Sequence, residues 1–336
     1  MRTRLVAAAA VVLIAAPLSA ACGSDGPAPS NVGPASRTAG VSPTPTPGST
    51  RRPQPAPKPA PSSTASGRAT PGSPTKVLVV IEENHTLAQM RAGMPYVASL
   101  AQRYGYATRW RALTHPSEPN YLAIAGGSTY GVTDDRAPSA NAAKVGRAHS
   151  VFGQALSVGK TAKTYADAMP DACHVWDSPD RSVGAPTYAV RHNPWVYFTA
   201  ERAQCRRYDV PVAALARDAR RGTLPNVGLL VPDLVHDAHD GSLRTADAWL
   251  RTQLAPVLAS ADFTRGRLVV VITADEDDRS GNNTVLTAVL HARLRHKVVR
   301  TPLTHYSLTR FIGQILGVRP LGAGRTAPDM RAAFGL

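Results

Sequence analysis

The sequence predicts an α/β fold, with a central, mostly parallel sheet flanked by helices. Short, continuous apolar runs rich in β-branched residues occupy 76–81, 227–231 and 268–273, the pattern of strands buried on both faces. Stretches with helical spacing separate them, which fits parallel strands joined by crossovers. Each run stops abruptly at polar residues, and in such sheets ligands collect outside the carboxyl ends of the strands.

The amino terminus sets the compartment. Arg2 and Arg4 precede an apolar run over 5–18, followed by small residues and Cys22. A basic start, a short apolar segment and a small-residue cleavage site describe a secretory signal over 1–21. The run is shorter than the roughly 18–20 residues that a membrane-spanning helix needs. Leu18, Ser19, Ala20, Ala21 and Cys22, with Gly23 and Ser24 after them, resemble a bacterial lipoprotein signal. That resemblance implies a lipidated Cys22 and attachment to a membrane through the lipid. Cleavage after Ala21 without lipidation is the alternative, and either outcome exports the chain. Nothing downstream reads as a second membrane segment.

Residues 22–75 are dominated by Pro, Ser, Thr, Ala and Gly and have no apolar periodicity. Such a segment buries too little surface to offset chain entropy, and its proline content favours an extended spacer. The remainder, 76–336, suits one large catalytic α/β unit of about 260 residues. The formal charge of +15 is partly carried by the signal and spacer, yet leaves the domain basic. No compact Lys/Arg run with interleaved aromatics is present, so nucleic acid is not the expected partner. Steering of an anionic substrate fits the charge. Nothing in the sequence sets an oligomeric state. Beyond Cys22, Cys173 and Cys205 fall in one irregular region and are expected to pair as a disulfide after export, two free thiols being the alternative.

The first strand, 76–81, ends at Glu82, Glu83, Asn84 and His85. Residues 96–104 show helical spacing, and 106–113 read as a second strand with Arg109 and Arg111 on an exposed face. A helix over 117–125 is opened by the turn at 114–119 and closed by Gly126 and Gly127. Another helix spans 151–158, and 161–165 reads as a strand. Residues 169–208 read as irregular, followed by a helix at 211–220. The strand at 227–231 leads into a loop carrying Asp233, His236, Asp237, His239 and Asp240. A long helix covers 243–258, the strand at 268–273 stops at Asp275, Glu276, Asp277 and Asp278, and the last helix covers 306–316.

Glu83, Asn84, Asp275 and Glu276 supply oxygen ligands that suit Mg²⁺ or Ca²⁺, and carboxylates also accept Zn²⁺ or Mn²⁺. Carboxylates gathered at strand ends repel one another unless a cation neutralises them; a solvated acidic loop is the plainer reading. Ser117 stands at a helix start, where backbone N–H groups and the helix dipole favour an anion. The same place suits a simple N-cap, and a serine becomes a good nucleophile only beside a base or metal. His115, His239 and His305 sit at loop or helix boundaries where they can donate protons or bind phosphate oxygens, with His236 competing with His239. His149, His174, His192, His291 and His296 carry no comparable context.

Glu83-Asn84-His85, the run from His115 through Pro116, Ser117, Glu118, Pro119 and Asn120 to Tyr121, Asp237-Ala238-His239-Asp240, Asp275-Glu276 and His305-Tyr306-Ser307 occur in one order. That order resembles the phosphoesterase family, the bacterial phospholipases C and acid phosphatases of the alkaline phosphatase superfamily. Ser rather than Thr at position 117 is nearer the acid phosphatases. The resemblance implies an alkaline-phosphatase-like sandwich with one divalent metal held by Glu83, Asn84, Ser117, Asp275 and Glu276. It implies His115, His239 and His305 around the phosphate, Asn120 reaching a phosphate oxygen, and Asp237 orienting His239 or binding a second metal. The implied activity is hydrolysis of phosphate monoesters through Ser117, with His239 or His305 protonating the leaving group. A phospholipase C, another phosphodiesterase and a phosphoinositide phosphatase are alternatives on the same scaffold. A non-catalytic surface lipoprotein is the alternative from outside enzymes.

Overall fold

The computed structural model describes residues 73–336, apart from 181 and 186. The signal over 1–21, Cys22 and the spacer up to 72 lie outside the described residues.

The strands are β1 (Lys76–Glu82), β2 (Gly105–Ala107), β3 (Trp110–Arg111), β4 (Ala162–Ala166), β5 (Asp209–Pro211), β6 (Val227–Val231), β7 (Leu268–Ala274), β8 (Thr287–Leu290), β9 (Lys297–Val299) and β10 (Leu303–Thr304). The helices are α1 (Leu87–Gly93), α2 (Pro95–Arg103), α3 (Ser117–Gly126), α4 (Pro138–Val145), α5 (Val151–Ser157), α6 (Arg202–Tyr208), α7 (Ala213–Arg221), α8 (Leu243–Ala259), α9 (Ala261–Thr264), α10 (His305–Leu316) and α11 (Met330–Phe334).

The main sheet has the order β5-β4-β6-β1-β7-β8-β2-β9. Its centre is parallel, with β1 between β6 and β7, and β8 runs antiparallel to both β7 and β2. β6 and β7 are buried along their whole length and β1 from its second residue on, as the unbroken apolar runs predict. The register of β1 against β7 aligns their acidic ends. Ile81 pairs with Thr273 and Glu82 with Ala274, so Glu83 and Asp275 leave the sheet at the same level on neighbouring strands. Backbone bonds from Asp275 to Glu82 (3.0 Å) and from Glu83 to Asp237 (2.8 Å) continue the alignment past the strand ends and bring in the loop after β6.

Two expectations are corrected. The strand over 106–113 is two pieces: β2 belongs to the main sheet, while β3 pairs with β10 in a separate two-stranded sheet. The chain bends between them so that Trp110 is fully buried and its indole N–H donates to His305 Nδ1 at 3.2 Å. The stretch over 169–208 is also less irregular than its sequence suggests. It holds 3₁₀ turns at Val190–His192, Pro194–Tyr197 and Thr199–Glu201, then α6, and it is stapled by a Cys173–Cys205 disulfide.

α3 is buried at every position, which is why its sequence shows little amphipathic contrast. α10 holds it in place, with Thr309 Oγ1 donating to the carbonyls of Ala123 (2.8 Å) and Ile124 (3.1 Å). Gly127 ends the helix at φ 72, and any Cβ there would collide with the carbonyl of Leu321.

Glu201 pins the stapled excursion to the body of the domain. Its carboxylate is buried and accepts from the backbone N–H of Ser150 (2.9 Å), the Ser150 hydroxyl and Trp195 Nε1 (2.9 Å). Glu201→Ala leaves buried donors unpaired and is expected to lower the unfolding free energy by at least about 2 kcal/mol, with Glu201→Gln costing less. Urea denaturation of both variants checks this; equal stability of Glu201→Ala and wild type would refute the anchoring role.

Candidate active site

The loops after β1, β6 and β7 and the start of α3 converge beyond the carboxyl end of the sheet. Ser117 is the first residue of α3. Pro116 occupies the N-cap position, so the serine is free of the capping role that its sequence context also allowed. Its hydroxyl donates to Glu83 Oε2 at 3.0 Å, and its nearness offsets part of the burial that raises the Asp275 pKa. Glu118, the next residue, has its backbone N–H accepted by Asp135 Oδ1 at 2.9 Å.

The other acidic side chains crowd the same volume. Asp275 Oδ1 accepts the backbone N–H of Glu276 at 2.6 Å, and that of Asn84 at 3.5 Å. The amide end of Asn84 lies 3.2 Å from Glu83 Oε2 and 3.3 Å from Glu276 Oε1. Turned one way it donates to both carboxylates; turned the other it adds a third oxygen to them. Asn84 takes φ 44, a left-handed conformation that asparagine tolerates better than most side chains. Glu83, Asn84, Ser117, Asp275 and Glu276 thus meet in space.

Three further placements refine the histidines and Asn120. His115 bridges two carboxylates, with Nδ1 3.1 Å from Glu276 Oε1 and Nε2 3.3 Å from Asp277 Oδ1. His305 is a correction. It is fully buried, receives the Trp110 N–H at Nδ1 and donates from Nε2 to the backbone carbonyl of Asp275 at 2.6 Å. Burial lowers its pKa to about 4, so the ring is neutral, and its one N–H is committed to the Asp275 carbonyl. Asn120 is also corrected: its oxygen accepts the N–H groups of Leu113 and Thr114, and its nitrogen donates to Thr114 O (2.8 Å) and Glu276 Oε2 (3.1 Å). Fully buried, it shapes the 113–116 turn and Glu276 rather than facing outward.

His239 stands at the rim, its side chain 30% exposed, with Nδ1 2.7 Å from Asp240 Oδ1. Its backbone N–H donates to Asp237 Oδ1 at 2.8 Å, so Asp237 fixes the loop that carries it. The competitor His236 points elsewhere, bonded through Nδ1 to Asp167 and Asp233 and stacked on Trp249.

Two residues that sequence reasoning left out belong to the site. His192 is 1% exposed, lies flat on Tyr121 with ring centroids 5.1 Å apart, and places Nδ1 3.1 Å from Asp237 Oδ2. Arg191 beside it is buried too, with Nη2 3.3 Å from His239 Nε2 and Nε 3.8 Å from Asp135 Oδ2. Both come from a 3₁₀ turn inside a nonperiodic segment. The run Arg191-His192-Asn193 before Pro194 is the sole signal, and it has no strand end beside it.

The donor set fits a divalent cation. Burial holds the His192 pKa well below its ordinary value, so its ring is neutral. With the Nδ1–H directed at Asp237, the Nε2 lone pair faces Glu83 Oε1 at 3.2 Å without hydrogen-bond geometry. Two electron-rich atoms face each other there, an arrangement that a proton or a cation relieves. Glu83, His192 and Asp237 offer ligand atoms within 4.8 Å of one another, and Asp275 Oδ2 is buried without a partner among the described residues. Burial raises the acids: Asp275 to about 7, and Glu276, helped by Asp275 beside it, to about 9. Glu83 is pushed well above its ordinary value by burial and by the Asp275 and Asp237 charges.

These raised values set a pH dependence for the cation-free protein. Folded carboxyls with high pKa bind more protons than the unfolded chain from about pH 4 up to about 9, so stability falls as pH rises through that window. A bound cation replaces the protons and flattens the trend. Melting curves of chelator-treated and cation-loaded protein at pH 5 and pH 8 are expected to diverge more at pH 8. A chelated protein that is more stable at pH 8 than at pH 5 would count against the shared buried cluster.

A profile of the phosphoesterase family matches residues 83–280. The chain is 31% identical over 274 residues to the phosphatidylinositol-3-phosphatase of Mycobacterium tuberculosis, covering 80% of this chain and 86% of that one. It is 28% identical over 236 residues to the phosphate-repressible acid phosphatase of Penicillium chrysogenum, covering 67% of this chain and 55% of the fungal one, little more than half its length. A solved structure of an alkaline phosphatase superfamily protein from Vibrio parahaemolyticus superposes with a TM-score of 0.52 at 12% identity, covering 74% of this chain and 68% of that one. At that identity the likeness speaks for the fold alone, and the fold is alkaline-phosphatase-like.

Proposed function

Because this chain belongs to the phosphoesterase family and is a hydrolase of phosphate esters, we propose that it is an exported, metal-dependent phosphomonoesterase whose nucleophile is Ser117. The observation that carries the reading is the Ser117 hydroxyl bonded at 3.0 Å to Glu83, whose neighbour Asn84 donates its backbone N–H to Asp275, residues far apart in the chain.

Glu83, Asn84, Ser117, Asp275 and Glu276 would hold a divalent cation, Mg²⁺, Ca²⁺, Zn²⁺ or Mn²⁺, with His192 and Asp237 on the far side of Glu83. When bound, the cation supplies positive charge that offsets the carboxylates and lowers the serine pKa. The Ser117 proton is already directed at Glu83 Oε2, which gives it a route away from the oxygen. Ser117 Oγ attacks phosphorus in line, forming phosphoserine as the bond from phosphorus to the alcohol oxygen breaks. His239, its Nδ1 held by Asp240, would take a proton at Nε2 as Arg191 releases that nitrogen, give it to the departing alcohol, and recover one from the water of the second step. His115, held between Glu276 and Asp277, would have to release one of these carboxylates before it could donate to a phosphate oxygen. Water then cleaves phosphoserine, returning the serine and releasing inorganic phosphate. His305 acts as a positioning residue that clamps the Asp275 backbone.

The name of the mycobacterial relative supports a monoester, and a phosphoinositide monoester is one substrate the reading admits. The Cys173–Cys205 disulfide supports maturation in an oxidising compartment. The amino-terminal residues 1–21 and Cys22 would supply export and the lipid anchor.

Ser117→Ala is expected to lower p-nitrophenyl phosphate turnover by roughly 10³-fold or more while its melting temperature stays close to that of wild type. Acid-quenched wild-type enzyme should carry phosphate on Ser117, detectable by mass spectrometry. Turnover near wild type in the Ala variant, or activity untouched by exhaustive chelation, would reject the proposal.

A further inference from the structure

We infer that Arg191 is the residue that makes the site prefer phosphate monoesters over diesters; the inference rests on the phosphatase reading above. The two ester classes differ in charge. A monoester carries nearly two negative charges at neutral pH, its second pKa being about 6, and a diester carries one. A site rich in buried carboxylates repels the extra charge unless a fixed positive group faces the added oxygen. A single cation held among Glu83, Asn84, Asp275 and Glu276 is largely offset by those same carboxylates.

Arg191 stands where that oxygen would go. Asp135 links it to the nucleophile: Oδ1 accepts the N–H of Glu118, next to Ser117, while Oδ2 lies 3.8 Å from Arg191 Nε. At its other end, Nη2 lies 3.3 Å from His239 Nε2, the atom assigned to protonate the leaving group. Its chain neighbour His192 contacts Glu83 Oε1 at 3.2 Å, and Glu83 in turn receives the Ser117 hydroxyl. The guanidinium therefore lies between Asp135, which caps the start of α3, and the His239 loop.

The contact with Asp135 is too long for a hydrogen bond, and the other partner is an imidazole. Neither is the bidentate carboxylate pair that normally accompanies a buried arginine. A guanidinium placed this way is suited to a dianionic phosphate, with donors in a fork that matches two of its oxygens. One of those donors is accepted by His239 Nε2 here and is freed for phosphate when that ring turns to the leaving group.

The test compares p-nitrophenyl phosphate with bis(p-nitrophenyl) phosphate, which release the same alcohol, in cation-loaded wild type, Arg191→Met and Arg191→Lys. Arg191→Met is expected to cut kcat/KM for the monoester by about 10- to 100-fold, the loss of a charge-assisted hydrogen bond, and for the diester by less than about 3-fold. Arg191→Lys keeps the charge without the fork and should fall between, which also decides the matter if the Met variant does not fold. Where the diester is not turned over, its competitive inhibition constant against the monoester replaces the rate. Equal loss on both esters, or an unchanged ratio in either folded variant, overturns the assignment while leaving the phosphatase reading intact. Wild type that hydrolyses neither ester overturns that reading and this inference with it.

Discussion

The crowding of carboxylates at the end of β1 and β7 is the constraint around which the rest of the structure is arranged. Parallel pairing of Glu82 with Ala274 forces Glu83 and Asp275 out of the sheet together, into a volume from which water is excluded. Like charges in such a place cannot all stay ionised without help. Several neighbours supply it: the Ser117 and Tyr121 hydroxyls donate to Glu83, backbone N–H groups donate to Asp275, and His115 and Asn120 cover Glu276. These contacts orient the acids without removing their charge. Protons relieve that charge in the cation-free protein, and a divalent cation fits the same donor set.

Rigidity around the cluster comes from apolar packing rather than from the polar contacts themselves. α3 is buried on all sides and held by Thr309 of α10, so Ser117 is delivered to its place by a helix with little freedom to shift. The small β3–β10 sheet has a related task. It brings Trp110 against His305, and His305 in turn grips the carbonyl of Asp275. A neutral, fully bonded histidine there controls the acid's backbone position, which matters because a carboxylate displaced by an ångström loses most of its value to chemistry.

Much of this is legible in the sequence because buried parallel strands write themselves as unbroken β-branched runs. The strand over 227–231 falls on its predicted bounds, and the acidic ends of β1 and β7 identify the residues that lie together in the fold. The failures share a cause. β8 runs antiparallel between β7 and β2 and is four residues long, too short to announce itself. The strand over 106–113 divides because Trp110 leaves the main sheet to cover His305, a tertiary demand that alternation cannot express. His192 and Arg191 sit in a segment without period, held by Glu201, Asn193 and a disulfide, so nothing local marks them. Asn120 and His305 stand in the expected neighbourhood with a different task, since motif order does not tell which way a side chain faces.

The covalent staple across 173–205 closes a segment whose middle carries Arg191 and His192, two of the groups that line the carboxylate cluster. Thiol oxidation and assembly of the catalytic wall are therefore linked through one stretch of backbone. A copy in a reducing cytosol lacks this tether, and its wall is held by weaker bonds alone.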